Sequence, residues 1–118
     1  MKKLYYLSTC DTCKRIIKEL NLPLDIVLQD IKSNPITIVQ LEQMYKLSES
    51  YEALFSKRAR LYKEKDLKNA SLTEDDYKKY LLEHYTFLKR PVLLFDDQVF
   101  IGNSKATINL AKDYIHVK

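Results

Sequence analysis

The chain has 118 residues, which is enough for one domain with a substantial hydrophobic core. It is 46% hydrophobic and 31% charged, as in an ordinary globular protein, and its net charge of +4 falls short of a nucleic-acid-binding signature. No apolar run is long enough for a signal-peptide core or a membrane span, so we expect a cytoplasmic protein that binds neither nucleic acid directly nor membrane. With Gly102 as its single glycine, the chain lacks a Gly-rich phosphate loop.

The first thirty or so residues predict a strand, a helix and a second strand. Residues 3–7 (KLYYL) form a short apolar run that is typical of a buried strand. Small polar residues at 8–12 can start a helix, whose apolar stripe is Cys13, Ile16, Ile17 and Leu20. Asn21 suits the left-handed position that ends a helix, and residues 24–28 (LDIVL) predict the second strand. The two strands of such a βαβ unit are parallel.

The middle of the chain is predicted to be helical. Candidate helices lie at about 37–46, at about 50–60 and from residue 73 onward. Thr37 and Gln40 form a capping box, and Thr73 and Asp76 form a weaker capping pair. No repeat or low-complexity segment interrupts this region.

The C-terminal part predicts a hairpin and a last helix. Pro91 ends the helical region, and residues 92–95 and 98–101 are apolar runs around a polar Asp96–Asp97 turn. The last helix is expected over about 105–114. The order β-α-β, helical block, β-β-α predicts an α/β fold with a four-stranded mixed sheet.

Cys10 and Cys13 place two thiols about one helical turn apart at the start of the first predicted helix. The positive end of the helix dipole and its free N–H groups stabilise a thiolate at Cys10, and Cys13 lies within reach to form a disulfide with it. A Cys-x-x-Cys motif on the first βα turn is fairly specific for a thioredoxin-like redox site. The alternatives are two buried structural cysteines or half of a zinc site, although His84 and His116 lack the close spacing that zinc ligands usually have.

Pro91 and three arginines are the other candidate site residues. In a thioredoxin-like fold Pro91 would be the cis proline that faces the reactive cysteine; otherwise it is an ordinary proline at a strand entry. Arg58, Arg60 and Arg90 are candidates to hold an oxyanion, because the planar guanidinium group binds such anions bidentately. A cation at Arg90 would also lower the pKa of Cys10.

Together these segments resemble the arsenate reductase (ArsC) family, including its Spx-type regulator branch. The segments that carry the resemblance are LYYLSTCDTCKRIIKEL, LFSKRARLYKEKDL, LKRPVLLFDDQVFIG and the final helix. The resemblance implies a thioredoxin-like (glutaredoxin-like) fold in a single domain over 1–118. Its core would be formed by about 1–33 and 88–118, with a helical insertion at about 34–87.

The resemblance also implies roles for individual residues. Cys10 would correspond to the nucleophile and Arg90 to the arginine before the cis proline. Arg58 would correspond to an anion-binding arginine, with Arg60 as the fallback. Two features depart from the pattern of glutathione-dependent arsenate reductases: Cys13 offers an internal resolving thiol, as in the regulator branch, and 96–104 contains no third arginine. We therefore expect at most slow arsenate reduction.

The leading functional hypothesis is a thiol-dependent reductase. Cys10 would attack an arsenate-like oxyanion or a disulfide, Cys13 would resolve the adduct into an intramolecular disulfide, and glutathione, thioredoxin or glutaredoxin would restore the dithiol. The thiols carry the electrons, so no metal or organic cofactor is expected. The alternatives are an Spx-like redox-sensing regulator, with RNA polymerase as its partner by family analogy, and a glutaredoxin-like domain without turnover.

Overall fold

The computed structural model describes residues 1–117, which form ten helices and strands and two short 3-10 turns. In chain order these are β1 (Lys2–Tyr6), α1 (Asp11–Leu20), β2 (Val27–Asp30), α2 (Ile38–Ser48), α3 (Tyr51–Leu54), α4 (Arg60–Glu64), α5 (Glu74–Glu83), β3 (Val92–Phe95), β4 (Gln98–Ile101) and α6 (Lys105–Val117). The chain divides into a sheet unit, which contains Met1–Pro35 and the segment from Arg90 onward, and a helical unit, which is Ile36–Lys89. No helix within the described residues is long and apolar enough to cross a membrane.

The sheet unit contains four strands in the order β2-β1-β3-β4. β1 is parallel to β2, with Tyr6 opposite Asp30, and antiparallel to β3, with Leu4 opposite Leu93. β3 and β4 form the predicted hairpin. The predicted fold class, an α/β fold with a four-stranded mixed sheet, is confirmed.

The hydrophobic core of the sheet unit lies between one face of the sheet and the helices α1 and α6. It consists of Leu4, Ile16, Leu20, Leu93, Phe95, Ile108, Ala111 and Ile115. Cross-strand partners on the opposite face, among them Tyr5, Gln29 and Val92, are also buried. Because β1 lies between β2 and β3 in the sheet, its C-terminal end is fixed where the chain turns into α1.

α1 begins and ends where the sequence indicated, but no side chain of the predicted polar start caps it with a hydrogen bond. Cys10 has an extended backbone at the N-cap, and Asn21 adopts the left-handed conformation at the C-cap, with φ of 49°. The predicted second strand is wrong in its bounds, because β2 begins only at Val27. Leu24 and Asp25 instead form a turn in which the Ile26 N–H donates to the Pro23 carbonyl oxygen (3.3 Å), and Leu24 is fully exposed.

In the helical unit, α2 and α5 begin at the predicted residues. Thr37 makes the reciprocal capping box with Gln40, and Thr73 makes one with Asp76. In each box the threonine hydroxyl accepts the third helical N–H while the partner side chain accepts the threonine N–H. Both predicted helix starts are therefore confirmed.

The predicted helix over about 50–60 begins as expected, with Ser50 as the N-cap of α3, but its predicted end is wrong. α3 ends at Leu54, because Phe55 turns to form an isolated antiparallel bridge with Leu88. The Ser56 N–H donates to the Phe87 carbonyl oxygen (2.7 Å), and the Phe55 ring stacks on Phe87 with 5.1 Å between centroids. Burying this aromatic ring offsets the loss of the helical backbone hydrogen bonds.

Candidate active site

The β1–α1 turn places Cys10 at the N-terminus of α1. The Cys10 N–H donates to the Leu7 carbonyl oxygen (3.0 Å), which closes a turn around Ser8 and Thr9. The Cys10 carbonyl oxygen accepts the first helical hydrogen bond, from the Lys14 N–H (3.2 Å). Because Cys10 is the N-cap, its side chain stands beside the N–H groups that the first helical turn leaves without intrahelical partners.

The two cysteines are reduced and their thiols are in contact. Cys10 is half-buried, whereas Cys13 is completely buried on the core side of α1. The N–H groups of Cys13 and Thr12 and the Cys13 thiol favour the charged form of the Cys10 sulfur. The Cys10 side chain makes no capping hydrogen bond at the helix start, so the first turn acts on the thiolate mainly through the positive end of the helix.

These surroundings shift the two thiol pKa values in opposite directions. Partial burial opposes ionisation of Cys10, but the Cys13 N–H and thiol, the charge of Arg90 and the Thr12 N–H together lower its pKa below 9.0. Burial and, less strongly, the neighbouring Cys10 sulfur together raise the pKa of Cys13 to about 11, against the opposing effects of the Leu7 N–H and Arg90. Cys10 is therefore the thiol that ionises first as the pH rises.

Arg90 and Pro91 join the helical unit to β3. The Arg90–Pro91 peptide bond is cis, which confirms that prediction. Pro91 is buried, and its carbonyl oxygen accepts the Gly102 N–H (2.9 Å) at a glycine with φ of 89°. Arg90 is half-buried, and its charge favours the thiolate form of Cys10. The contact of Pro91 with Cys10 stays a prediction.

Arg58 and Arg60 belong to the helical unit, and both are exposed. Arg58 lies in the turn before α4. Arg60 is the first residue of α4, its side chain is 85% exposed, and its Nε lies 3.3 Å from Glu64 Oε1. Their role in oxyanion binding stays a prediction.

The two histidines make hydrogen bonds within the fold. His84 Nδ1 lies 2.8 Å from the Thr86 hydroxyl, and His116 Nε2 donates to the Leu20 carbonyl oxygen (2.7 Å) at the end of α1. Within residues 1–117, no three His, Cys, Asp or Glu side chains gather in a way that could hold a metal ion.

The sequence did not indicate Asp30 and Ser8 as residues near the site. Asp30 ends β2, and its carboxylate accepts hydrogen bonds from the Ser8 hydroxyl (2.6 Å) and the Ser8 N–H (3.2 Å). The sequence signal that could have indicated Asp30 was an acidic residue at the end of a strand that runs parallel to β1. Placing the predicted strand at 24–28 left Asp30 outside it.

Comparison with known proteins identifies the family. The model of the ArsC family matches residues 5–110. Global transcriptional regulator Spx 2 of Bacillus anthracis is 25% identical over 104 residues, which cover 86% of this chain and 79% of that protein. The structure of arsenate reductase from Vibrio cholerae matches with a TM-score of 0.75 at 17% identity, over 97% of this chain and 93% of that one. A protein of Staphylococcus aureus COL, solved by NMR in solution, matches over 100% of both chains with a TM-score of 0.76 at 24% identity. The fold is thioredoxin-like, and the chain belongs to the ArsC family.

Proposed function

We propose that this ArsC-family protein is a thiol-dependent reductase in which Cys10 is the nucleophile and Cys13 is the resolving thiol. The observation that supports this most is the placement of the two thiols in one helical turn, with Cys10 half-buried at the N-cap of α1 and Cys13 completely buried. These surroundings shift the two thiol pKa values in opposite directions. A nucleophile must be a thiolate near neutral pH, whereas a resolving thiol must stay protonated until an adduct has formed. Cys10 loses its proton more readily than an ordinary cysteine, and Cys13 loses its proton less readily.

With a disulfide substrate, the Cys10 thiolate attacks one sulfur and displaces the other as a thiolate. Cys13 then loses its proton and attacks the Cys10 sulfur, which releases the second substrate thiolate and leaves a Cys10–Cys13 disulfide. Two electrons pass from the protein to the substrate. Thioredoxin, glutaredoxin or glutathione supplies two electrons to restore the dithiol, so the reaction needs no metal or organic cofactor.

With an arsenate-like oxyanion, the Cys10 thiolate attacks the central atom, and one hydroxyl of the oxyanion takes up a proton from solvent and leaves as water. Cys13 then loses its proton and attacks the Cys10 sulfur. The bond between that sulfur and the central atom breaks, its electron pair stays with the oxyanion, which leaves reduced by two electrons, and the protein again ends as the disulfide. In this proposal Arg90 and Arg58, with Arg60 as the alternative to Arg58, bind the negative charge, and Pro91 contributes to the substrate surface. Because 96–104 supplies no third arginine, we expect oxyanion reduction to be slow.

A coupled assay tests the proposal. The purified protein is mixed with a model disulfide or with arsenate, in the presence of NADPH and either a thioredoxin or a glutaredoxin–glutathione system. We expect NADPH consumption above that of the same mixture without this protein. This excess should depend on substrate, be lost in Cys10→Ser and persist in the control Lys14→Ala, which alters an exposed residue of the same helix. Equal NADPH consumption by wild type and Cys10→Ser with both substrates would contradict the proposal.

A redox-sensing regulator is the second candidate, and the similarity to Spx 2, a global transcriptional regulator, favours it. The same disulfide would then act as a switch that changes binding to RNA polymerase. Binding of purified bacterial RNA polymerase to the reduced and the oxidised protein tests this function. A regulator should bind differently in the two states, with Cys13→Ser locked in the reduced behaviour; identical binding or none in both states would exclude the switch.

A further inference from the structure

The Asp30 carboxylate is a hydrogen-bond acceptor for the turn that carries Cys10. Its Oδ2 accepts the hydroxyls of Ser8 (2.6 Å) and Ser33 (3.2 Å), and its Oδ1 accepts the N–H groups of Ser8 and Lys32 (3.2 Å each). These bonds, with that from the Ser8 hydroxyl contributing most, hold the pKa of Asp30 below its ordinary 3.8. Asp30 is therefore ionised at neutral pH, and its bonds to Ser8 are charge-assisted.

These bonds connect two parts of the sheet unit that are distant in sequence. Asp30 pairs with Tyr6 in the parallel β1–β2 ladder, and the Ile31 N–H donates to the Tyr6 carbonyl oxygen (2.9 Å). The ladder ends there, and the turn that begins with Leu7 continues beyond it. Within that turn, Asp30 binds both the backbone and the side chain of Ser8, two residues before Cys10.

Movement of this turn would change the surroundings of the Cys10 sulfur. Cys10 is the N-cap of α1, and the N–H groups of Thr12 and Cys13 in the first turn favour its thiolate form. Interactions of this kind weaken steeply with distance and misalignment. The Cys10 backbone is held from the N-terminal side by its bond to Leu7 O, across the turn that Ser8 occupies. Ser8 therefore fixes the position of the turn, and the position of the turn determines how well the Cys10 sulfur is aligned with the N–H groups at the start of α1.

We propose that Asp30 is a positioning residue for the nucleophile: through Ser8 it holds the Cys10 turn so that the Cys10 sulfur stays aligned with the N–H groups at the start of α1. The inference rests on the proposed function of Cys10 and extends it to a residue that acts through its bonds to Ser8. It applies equally whether the thiolate attacks a disulfide or an oxyanion.

The sign of the effect separates positioning from simple electrostatics. A carboxylate near a thiolate disfavours the thiolate by like-charge repulsion. If this repulsion were the only effect of Asp30, removing its charge would lower the pKa of Cys10. Loss of positioning would raise the pKa of Cys10, because its N–H donors become misaligned. A purely structural role would lower the stability of the protein without a specific shift of the Cys10 pKa.

The test is the pH dependence of Cys10 alkylation by iodoacetamide, followed on the Cys10 peptide by mass spectrometry. The midpoint is the pH at which the rate of Cys10 labelling reaches half its maximum, and it reports the pKa of Cys10. In Asp30→Ala we expect this midpoint to rise by about one pH unit. Because a more basic thiolate is also more nucleophilic, labelling should be about threefold slower below both midpoints and about threefold faster above them. The two rate curves should therefore cross.

Three further variants and a charge control complete the experiment. Ser8→Ala removes one of the bonds to the turn and should raise the midpoint by less than Asp30→Ala. Asp30→Asn keeps an acceptor for the Ser8 N–H, so its midpoint should lie between those of the wild type and Asp30→Ala. Ser33→Ala removes a hydroxyl from the same carboxylate without touching the turn and should leave the midpoint unchanged. Asp25→Ala removes an exposed carboxylate that pairs with Lys2 (3.2 Å), and it should not raise the midpoint.

The outcomes distinguish this inference from the proposed function. A wild-type Cys10 midpoint at or above that of an ordinary cysteine would overturn both. A low wild-type midpoint that Asp30→Ala leaves unchanged or lowers would overturn only the positioning role. If Asp30→Ala does not fold, Ser8→Ala and Asp30→Asn decide the question: unshifted midpoints in both would overturn the role of Asp30, and graded upward shifts would support it.

Discussion

The candidate functional residues in the β1–α1 turn of the sheet unit and in the basic segment 57–60 of the helical unit differ in how far they are buried and in what they contact. In the turn, Cys10 is half-buried at the N-cap of α1 beside groups that favour its thiolate form, and its neighbour Cys13 is completely buried. In the basic segment, Arg58 and Arg60 are exposed, and Arg60 pairs with Glu64 on the same helix. The thiols are held in fixed surroundings, whereas the arginines face solvent.

This difference shows which part of the proposed chemistry is preorganised. Hydrogen bonds and charges act strongly in partly desolvated surroundings, and exposed ion pairs contribute little. The activation of Cys10 is therefore built into the sheet unit with Arg90. Under the proposed function, oxyanion binding by Arg58 or Arg60 would require these side chains to lose water on binding, so we expect a disulfide to be reduced faster than arsenate.

The largest expected effect comes from removing either thiol. Under mild oxidant the wild type should lose two hydrogens as the Cys10–Cys13 disulfide forms, and either Cys→Ser change should abolish this mass shift. Cys13→Ser should instead accumulate a mixed disulfide on Cys10 when glutathione disulfide is added. An intact wild type that collects only a stable glutathione adduct on Cys10 would indicate a one-cysteine mechanism and contradict the resolving role of Cys13.

The next effect separates the arginines of the two regions. Arg90→Ala should raise the pKa of Cys10 and lower reductase turnover about tenfold or more, since a charge-assisted contact contributes about 1.5–3 kcal/mol. Arg58→Ala should leave the pKa of Cys10 unchanged and weaken only the protection from alkylation that sulfate or phosphate gives. Arg60→Ala is the matched control, and a loss of protection there but not in Arg58→Ala would transfer the anion-binding role to Arg60. Unchanged thiol reactivity in Arg90→Ala, without protection by any oxyanion, would favour the redox switch over the enzyme.

A smaller effect concerns the stability of the reduced protein at alkaline pH. The pKa of Cys13 rises from 9.0 to about 11 on folding, so between these values the folded state keeps a proton that the unfolded state has lost. This stabilisation is complete below pH 9 and is lost as the pH rises toward 11. The free energy of unfolding of the wild type should therefore fall relative to Cys13→Ala by up to about 1.4 kcal/mol per pH unit in this window. A constant difference in urea denaturation from pH 8 to 11 would show that burial does not hold the proton on Cys13.

The smallest effect should be confined to the helical unit. Thr37→Ala and Thr73→Ala each remove a capping box and should lower stability by about 1 kcal/mol. Neither residue is among the groups that shift the pKa of Cys10, so the midpoint of Cys10 alkylation should stay at the wild-type value. A shift of that midpoint in either variant would break the separation between the two regions.

Local signals made much of the fold predictable. The helix start at Cys10, the left-handed Asn21 and the box of Thr37 with Gln40 each depend on residues a few positions apart. Patterns of this range are visible in a single sequence. The hairpin of β3 and β4 was also correctly bounded, because its two apolar runs adjoin a short polar turn.

The errors arose where distant residues decide the local structure. Phe55 leaves the predicted helix because Leu88 and Phe87 offer it a bridge and a stacked ring. The bond between Asp30 and Ser8 spans 22 residues and depends on the register of a parallel strand pair, which was predicted from the wrong start. The cysteines could thus be found from their spacing, but the contacts that set their pKa values depend on the tertiary structure.

The most direct test of the central claim is to measure both thiols in one sample. Reduced protein is pulse-labelled with iodoacetamide from about pH 6 to 10, and the Cys10 and Cys13 sites are quantified separately by fragment-ion mass spectrometry. We expect Cys10 to label with a midpoint below that of an ordinary cysteine, and Cys13 to stay unlabelled until the upper end of the range. Equal and slow labelling of both cysteines, with a shared midpoint near that of an ordinary cysteine, would contradict the activated Cys10 thiolate.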